Sequence, residues 1–328
     1  MKRRSIISLA LGCGVLSVAA LWPKAHAADD FPNRSIRMIV GYPVGGNVDI
    51  VARLVADELS KILNQPVVVD NRAGASGQIA AASVAQAAPD GYTIFLGASP
   101  ELAIAHALKK KLPYDAQKNF QPLSLATVIP FALVVNPQVP AKNMKEFLDY
   151  AKSHPGSLNY ASFGNGSSNH LFAELFKSKA GVEMTHIPYK GGGPAITDLI
   201  GGQVQVEFES LGVVLPHVKA GKLRALALAT PQRSPLAPEL PTMAEAGLSG
   251  LEGGTWNGFV GPAGMPAPIV EKLSVALNKA IKSPSVSKVL IEKGLTPTPT
   301  TPQEFAAFIK SEIERWKSVA DTAGIRVD

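Results

Sequence analysis

The chain has 328 residues, of which 18% are charged, a formal net charge of +6 and a single cysteine. Its first 27 residues combine a basic start, an apolar run and a small-residue segment that ends at Ala27, the pattern of a cleavable secretory signal peptide. Cleavage there removes four of the 32 basic residues and leaves 28, against 26 acidic ones. The remaining charge of +2 gives no support to nucleic-acid or membrane-surface binding, so we expect neither.

Other interpretations of the first 27 residues are an uncleaved membrane anchor, a lipoprotein and a twin-arginine export signal. The apolar run is short for an anchor and is interrupted by glycine. Cys13 would suit a lipoprotein, but the apolar stretch before it is short, and Arg3-Arg4 would suit twin-arginine export. Cleavage after Ala27 leaves a chain without cysteine, which forms no disulfide.

Short apolar runs of strand length alternate with amphipathic helical patterns along the rest of the chain. The runs are IRMIV (36–40), VVVD (67–70), TIFLG (93–97), ALVVN (132–136) and LRALALA (223–229). Apolar residues recur at a period near 3.6 in the intervening sequence, at Ile50, Val51, Leu54, Val55, Leu59 and Ile62, and at Leu171, Leu175 and Phe176. This alternation predicts an α/β fold with parallel strands and helices on both faces.

Two extended stretches, residues 120–137 and 253–266, interrupt the alternation. Each runs past proline or glycine without an intervening helix. A chain that crosses into a second domain and later returns needs two such connections. We therefore predict that residues 1–27 form the signal peptide, that 28–127 plus 253–328 form a discontinuous domain 1, and that 128–252 form domain 2.

The first predicted strand and helix are joined by a glycine-containing loop in GYPVGGNVDIVAR (41–53). Loops of this kind direct free backbone N–H groups outward and favour anions. Asn47 is the expected N-cap of the helix, and Asp49 lies in its first turn, where the helix dipole favours an acid. A catalytic role for Asp49 is the alternative interpretation.

A second loop of the same kind occurs in SFGNGSSNHLFAELF (162–176). Ser167 or Ser168 either caps the following helix or, with the helix N-terminus, binds an anion. One such loop in each predicted domain indicates a cleft that closes on a small anionic ligand.

The sequence lacks the motifs of several catalytic and cofactor-binding classes. It has no P-loop, no dinucleotide-binding glycine motif and no nucleophile elbow. The histidines are scattered, and none pairs with a carboxylate or thiol at metal-ligand spacing. We therefore expect no enzymatic activity, no metal and no cofactor.

A series of motifs spans the chain from about residue 31 to its end. They are YPVGGNVDIVARLVADEL, VVVDNRAGASGQIAA, APDGYT, LPYD, LNYASFGNGSSNHL, PYKGGGPAITDLIGGQV, LPHVKAGKLRALA and ELPTMAEAG. In this order they resemble the Bug-type periplasmic solute receptors of the tripartite tricarboxylate transporter family.

The resemblance implies a type II periplasmic-binding-protein fold, in which two α/β domains close on one small carboxylated solute. It further implies a periplasmic, non-catalytic receptor that delivers an organic carboxylate or amino acid to a two-subunit membrane permease, and we expect a monomer. The ligand-binding residues that it implies are, in domain 1, Tyr42, Val44, Gly45, Gly46 and Asp49, and, in domain 2, Gly164, Asn165, Ser167, Ser168, His170, Tyr189, Lys190 and Gly191. Relatives commonly have proline at the position of Val44 and a small residue near Asn47.

Acidic residues near the predicted cleft raise the question of whether the ligand carries an amine. Where relatives have small polar residues after a strand, this chain has Ser99-Pro100-Glu101, which also fits a helix start with Ser99 as N-cap. Glu209 ends the QVQVEFE run, in which alternation places Glu207 on the same face. We include Ser99, Glu101 and Glu209 among the candidate ligand-binding residues. A receptor for a sensor kinase and an envelope hydrolase remain as alternative functions.

Overall fold

A computed structural model of the chain describes residues 31–108 and 111–325. The predicted signal peptide, with Cys13, lies outside the described residues. Within the described ranges, no helix combines the length and the apolar character that a membrane crossing requires.

The described residues form helices and strands that alternate over most of the chain. In chain order these are β1 (Ile36–Val40), α1 (Asn47–Leu63), β2 (Val67–Asn71), α2 (Gln78–Ala85), β3 (Thr93–Ala98), α3 (Ala105–Leu108), β4 (Phe120–Val135), α4 (Met144–Ser153), β5 (Asn159–Ser162), α5 (Ser168–Ala180), β6 (Thr185–Pro188), α6 (Gly192–Ile200), β7 (Val206–Ser210), α7 (Leu211–Lys219), β8 (Arg224–Leu228), β9 (Gly254–Pro262), α8 (Ala267–Lys282), α9 (Pro284–Glu292), β10 (Thr296–Pro297) and α10 (Pro302–Ala323). Short turns of 3₁₀ helix at Ala75–Gly77 and of π-helix at Pro100–Ile104 precede α2 and α3.

One mixed sheet runs through the molecule in the order β2-β1-β3-β9-β4-β7-β5-β6, with β8 and β10 also paired to β4. The strands β1, β2 and β3 are parallel, as are β5, β6 and β7, and every pair that includes β4 or β9 is antiparallel. The predicted α/β fold is confirmed. Parallel order holds in each group of three strands, and the long strands between the groups are antiparallel.

We call the parallel strands β1–β3 the first group and the parallel strands β5–β7 the second group. Strand β4 connects the two groups. Its first part, Phe120–Pro130, pairs with β9, and its last five residues, Phe131–Val135, pair with β7. The first group carries α1 and α8, whose apolar faces form one buried cluster with β1 and β3. In the second group, α6 and α7 cover a smaller apolar cluster on one face of the strands.

Helix α10 packs against both groups. The largest apolar cluster includes Phe95 from the first group, Phe176 from the second, and Trp316 from α10. The carboxylate of Glu312 on α10 accepts hydrogen bonds from the indole nitrogens of Trp256 and Trp316, each at 3.0 Å. Buried indole N–H groups need acceptors, so this carboxylate fixes α10 on β9.

The prediction that Asn47 caps α1 is wrong by one residue. The N-cap is Gly46, which has an extended backbone (φ −75°, ψ 167°), and Asn47 is the first helical residue. In the first turn of α1, Asp49 Oδ2 accepts a hydrogen bond from the Gly45 N–H at 2.9 Å. The Asp49 carboxylate thus ties the first turn of α1 to the loop before it, while no side chain caps the helix. The predicted place of Asp49 in the first turn is confirmed.

Glycine at position 258 in β9 is required by packing. A Cβ atom there would lie 2.1 Å from Cζ of Phe305 on α10. We expect Gly258→Ala to lower the free energy of unfolding by about 1–3 kcal/mol, because the Phe305 ring must leave its place in a close-packed core. Urea unfolding measures the change. Gly193→Ala is the control, since no atom lies within 4 Å of a Cβ atom there; equal stability of the two variants would contradict the prediction.

Candidate functional site

The β1–α1 loop presents exposed backbone at the carboxyl end of β1. Val44 is 69% exposed, and Gly45 and Gly46 are exposed beside it. Gly45 has a φ of 89°, which favours glycine. In an α/β sheet the carboxyl ends of parallel strands are the usual ligand-binding edge.

The buried side chain of Asp49 stabilises this loop by hydrogen bonds. Its carboxylate accepts hydrogen bonds from Gly45 N, Arg53 Nε and Asn71 Nδ2, each at 2.9 Å, and its side chain is 2% exposed. Burial would raise the pKa of Asp49, but the hydrogen bonds from Arg53, Gly45 and Asn71 outweigh it and hold the pKa below its usual value. All its observed contacts are therefore internal to the loop and its neighbours.

Glu101 lies beneath the same loop, at the carboxyl end of β3. It is fully buried, and its two carboxyl oxygens accept hydrogen bonds from Tyr42 Oη and Ala98 N, each at 2.7 Å. Burial raises the pKa of Glu101 to about 8, against the opposing effect of those hydrogen bonds. A Cβ atom at Gly77 would lie 2.6 Å from the carboxyl carbon of Glu101, so the acid is packed tightly under the start of α2.

Ser99 directly precedes the π-helical turn that contains Glu101, at the predicted N-cap position, but its side chain does not cap the turn. Its backbone is already helical (φ −53°, ψ −35°), and its side chain makes no capping hydrogen bond. The Ser99 hydroxyl is buried and has no hydrogen-bond partner among the described residues.

In the second group of strands, the β5–α5 loop is organised around the side chain of Asn169. Its Oδ1 accepts hydrogen bonds from Phe163 N at 3.2 Å and from the Ser167 hydroxyl at 2.8 Å. Ser167 is the N-cap by position, but its hydroxyl donates within the loop, also reaching the Gly164 carbonyl at 2.7 Å. Asn165 is exposed at the tip of the loop, and Ser168 is buried.

The amide nitrogen of Asn169 is a buried donor without an acceptor. The side chain is fully buried, and Nδ2 has no hydrogen-bond partner among the described residues. Phe163 N is a donor, so it requires the oxygen of Asn169 to face it, and this fixes the direction of the amide. Buried polar groups are nearly always paired, so this N–H in the first turn of α5 is available to an acceptor from outside the chain, either water or a ligand.

Two stacked histidines support this loop. The rings of His170 and His186 lie 3.8 Å apart at an angle of 7°. His170 Nδ1 accepts the Gly166 N–H at 3.0 Å, and His186 Nε2 lies 2.6 Å from the Ser162 hydroxyl. Burial lowers the pKa of both rings, that of His186 to about 4, so both are neutral at pH 7.

The end of β7 and the β6–α6 loop complete this edge. Tyr189 donates its hydroxyl to Asp198 on α6 at 2.8 Å. Glu209 is 6% exposed, and its Oε1 accepts the Ser210 N–H at 2.5 Å. Glu207, two residues earlier on the same face, is fully buried, and both its carboxyl oxygens lack hydrogen-bond partners among the described residues.

The candidate residues thus form two groups. In the first, Tyr42 donates to Glu101, and Asn71 Nδ2 donates both to the Tyr42 carbonyl and to Asp49. In the second, Gly164, Ser167 and His170 belong to one loop. No hydrogen bond or ion pair between described residues joins one group to the other. No described group of three or more His, Cys, Asp or Glu side chains is arranged to hold a metal ion.

Comparison with known proteins decides the family. The sequence model of the family described as "Tripartite tricarboxylate transporter family receptor" matches residues 51–325. The chain belongs to this family. The predicted resemblance to Bug-type receptors is therefore confirmed.

Solved structures of this family are similar over nearly the whole chain. The R. palustris protein Rpa4515 with adipate is 37% identical, with a TM-score of 0.78, and covers 90% of this chain and 99% of its own. MatC from Rhodopseudomonas palustris with bound malate is 37% identical (TM-score 0.73; 88% and 99%). The periplasmic binding protein BugD is 32% identical (TM-score 0.75; 90% and 99%). The predicted periplasmic-binding-protein fold is confirmed.

The sequence does not predict the unpaired polar atoms of two side chains, Asn169 and Glu207. The sequence does not predict a role for Asn169, because SSNH (167–170) has the pattern of an ordinary helix start with two serines as candidate caps. For Glu207 the sequence predicts only a shared face with Glu209, by alternation. An acid between two apolar strand residues, Val206 and Phe208, is a sequence feature that could have indicated a buried Glu207. That the amide of Asn169 is unpaired is visible only in the fold.

Proposed function

We propose that this protein is a periplasmic receptor that binds a small organic carboxylate and delivers it to a two-subunit membrane permease, without catalysing a reaction. The ligand lies between a half formed by 28–127 plus 253–328 and a half formed by 128–252. The observation that carries the proposal is the unpaired, buried Asn169 amide at the N-terminus of α5. Membership of the receptor family supports it, as do the family structures with adipate and malate.

The β5–α5 loop would hold a ligand carboxylate through three effects. The Asn169 Nδ2 group donates to it, the N-terminus of α5 adds a favourable dipole, and neutral His170 keeps the loop in place through the Gly166 N–H. The exposed backbone of the β1–α1 loop, from Val44 to Gly46, would meet the ligand from the other half. Charge-assisted hydrogen bonds of this kind contribute about 1.5–3 kcal/mol each.

A thermal-shift screen tests the proposal directly. The panel contains mono- and dicarboxylates of two to six carbons, amino acids, and the corresponding amides and alcohols as uncharged controls. A ligand at 100 times its Kd adds about 2.7 kcal/mol to the free energy of unfolding, which raises Tm measurably. We expect stabilisation by carboxylates and none by the amides or alcohols. If no carboxylate raises Tm, or the uncharged controls raise it equally, the proposed function is wrong.

A further inference from the structure

Glu207 and Glu209 point to the same face of β7. In the antiparallel pairing with β4, Glu207 lies opposite Val134 and Glu209 opposite Ala132. Those two β4 residues belong to the apolar cluster under α6 and α7, while Phe208 belongs to the cluster on the other face. Two acids therefore occupy positions on a face that is otherwise apolar.

The pair lacks a positively charged partner. Glu207 has no hydrogen bond to either carboxyl oxygen, and no ion pair with a described residue includes Glu207 or Glu209. Burial raises the pKa of both acids, and the neighbouring Glu209 raises that of Glu207 further, to about 9. Tyr189, from the β6–α6 loop, also interacts electrostatically with Glu207, and its hydroxyl is bound to Asp198. None of these groups is a cation.

Glu209 reaches the edge where the ligand is proposed to bind. A Cβ atom at Gly192, the first residue of α6, would lie 3.4 Å from Glu209 Oε2 and 3.2 Å from the ring of Phe163. Phe163 is the first residue after β5, in the loop that Asn169 organises. One oxygen of Glu209 thus adjoins the β5–α5 loop, while the other is held by Ser210 N.

Glu101, the buried acid near the β1–α1 loop, differs from Glu207 in its hydrogen bonds. Both carboxyl oxygens of Glu101 accept hydrogen bonds, from Tyr42 and Ala98. Its position is therefore accounted for by the chain itself. Glu207 has no hydrogen-bond partner among the described residues, whereas Glu209 is bound by the backbone N–H of Ser210 and also interacts with the Ser210 hydroxyl. A desolvated carboxyl group that lacks partners, as Glu207 does, is costly to retain.

Resting on the proposed function, we propose that the ligand carries a protonated amine as well as a carboxylate, and that Glu209, with Glu207 behind it, binds the amine. The ammonium group would lie against Glu209 Oε2, near Gly192, and the carboxylate against the Asn169 amide. A cation there favours the ionised form of both acids, so binding at neutral pH releases a proton to the solvent. The ligand class is a small amino acid in place of a plain dicarboxylate.

Isothermal titration with matched pairs of ligands tests this inference. The pairs are aspartate with succinate and glutamate with glutarate, each titrated at pH 7 in phosphate and in Tris. We expect the amine-bearing member to bind about 10- to 100-fold more tightly. The difference between buffers should show proton release for the amine-bearing ligand.

Single substitutions distinguish the contributions of Glu209 and Glu207 to amine binding. Glu209→Gln should reduce the preference to about twofold or less while the deaminated member binds at least as well as to the wild type. Glu207→Gln should reduce the proton release, and Glu239→Gln, a control at an exposed acid outside the candidate site, should keep both preference and proton release. Should Glu209→Gln fail to fold, the buffer comparison on the wild type still decides.

The outcomes distinguish this inference from the proposed function. Equal or tighter binding of succinate and glutarate to the wild type, or proton uptake in place of release, would overturn the amine inference and leave a receptor for plain carboxylates. Failure of every carboxylate, with or without an amine, to bind would overturn the proposed function and this inference with it.

Discussion

Replacing Asn169 by aspartate is expected to weaken carboxylate binding at least about 100-fold while the protein stays folded. The substitution keeps an oxygen for Phe163 N and for the Ser167 hydroxyl, the two groups that the Asn169 side chain now binds. It replaces the unpaired N–H₂ donor by a charged oxygen, which repels a ligand carboxylate. An acid in the first turn of α5 is favourable to the helix dipole, but its second oxygen would be buried without a partner, so we expect a loss of stability. Urea unfolding and circular dichroism check that the variant is folded under the conditions of the titration.

The matched control is Asn143→Asp. Asn143 is the N-cap of α4, where its Oδ1 accepts the Glu146 N–H and its Nδ2 donates to Glu146 Oε1 at 2.8 Å. Aspartate keeps the cap but loses the second bond, so we expect some loss of stability and no loss of affinity. It makes the same change of charge at a helix N-terminus outside the candidate site. Titration calorimetry with the ligand found in the thermal-shift screen measures both variants. Wild-type affinity in Asn169→Asp would show that the β5–α5 loop does not bind the carboxylate.

The second large effect concerns stability. Glu207→Met is expected to raise the free energy of unfolding by about 3 kcal/mol at pH 7, because the native state keeps a buried carboxyl group protonated. The folded-state pKa of Glu207 is about 9, against 4.5 for the unperturbed group. Between these values the unfolded chain releases the proton and the folded chain retains it, so the wild type loses stability as pH rises. Below pH 4.5 this contribution disappears.

Urea unfolding at pH 5 and pH 8 tests the sign. The advantage of Glu207→Met should be small at pH 5 and large at pH 8. Glu207→Gln separates two causes, since it removes the titration but keeps unpaired polar atoms in the same place; its advantage over the wild type should also grow with pH, though it remains less stable than Glu207→Met. A Met variant no more stable than the wild type at pH 8 would contradict the prediction. If Glu207 serves ligand binding, the stabilised variant should also lose affinity for the amine.

Most short strands follow from local sequence. The predicted runs at 36–40, 67–70, 93–97 and 223–229 match β1, β2, β3 and β8 to within one residue at each end. The run at 132–136 is only the end of β4, since Pro122 and Pro130 made the earlier part look like an irregular connection. Their lack of N–H groups is tolerated in the pairing with β9, whose register shifts between Pro122 and Ser124. Strands β5 and β6 are four residues each, too short for periodicity to identify.

The site was less accessible to sequence reasoning than the fold. Loops rich in glycine and serine could be located, because strand–loop–helix order places them at the carboxyl edge of the sheet. The sequence could not show which donors are already used within the chain. Ser167 and Asp49 are conspicuous in the sequence, yet their hydrogen bonds lie within their own loops or to neighbouring residues. Asn169 is inconspicuous and is unpaired, a property that depends on where Phe163 N lies in three dimensions.

The contacts of α10 have a consequence for how the chain reaches this structure. Strand β4 pairs with β9, which lies more than a hundred residues later in the sequence. Trp256 and Trp316, 60 residues apart, both donate to the Glu312 carboxylate. The core common to both strand groups is therefore assembled from distant segments. Contacts of such long sequence separation slow folding, because loop closure must precede the gain from packing. Until residues 302–323 have been synthesised, Phe95 and Phe176 lack the helix that covers the core they share. The nascent chain therefore remains incompletely folded until α10 has been synthesised.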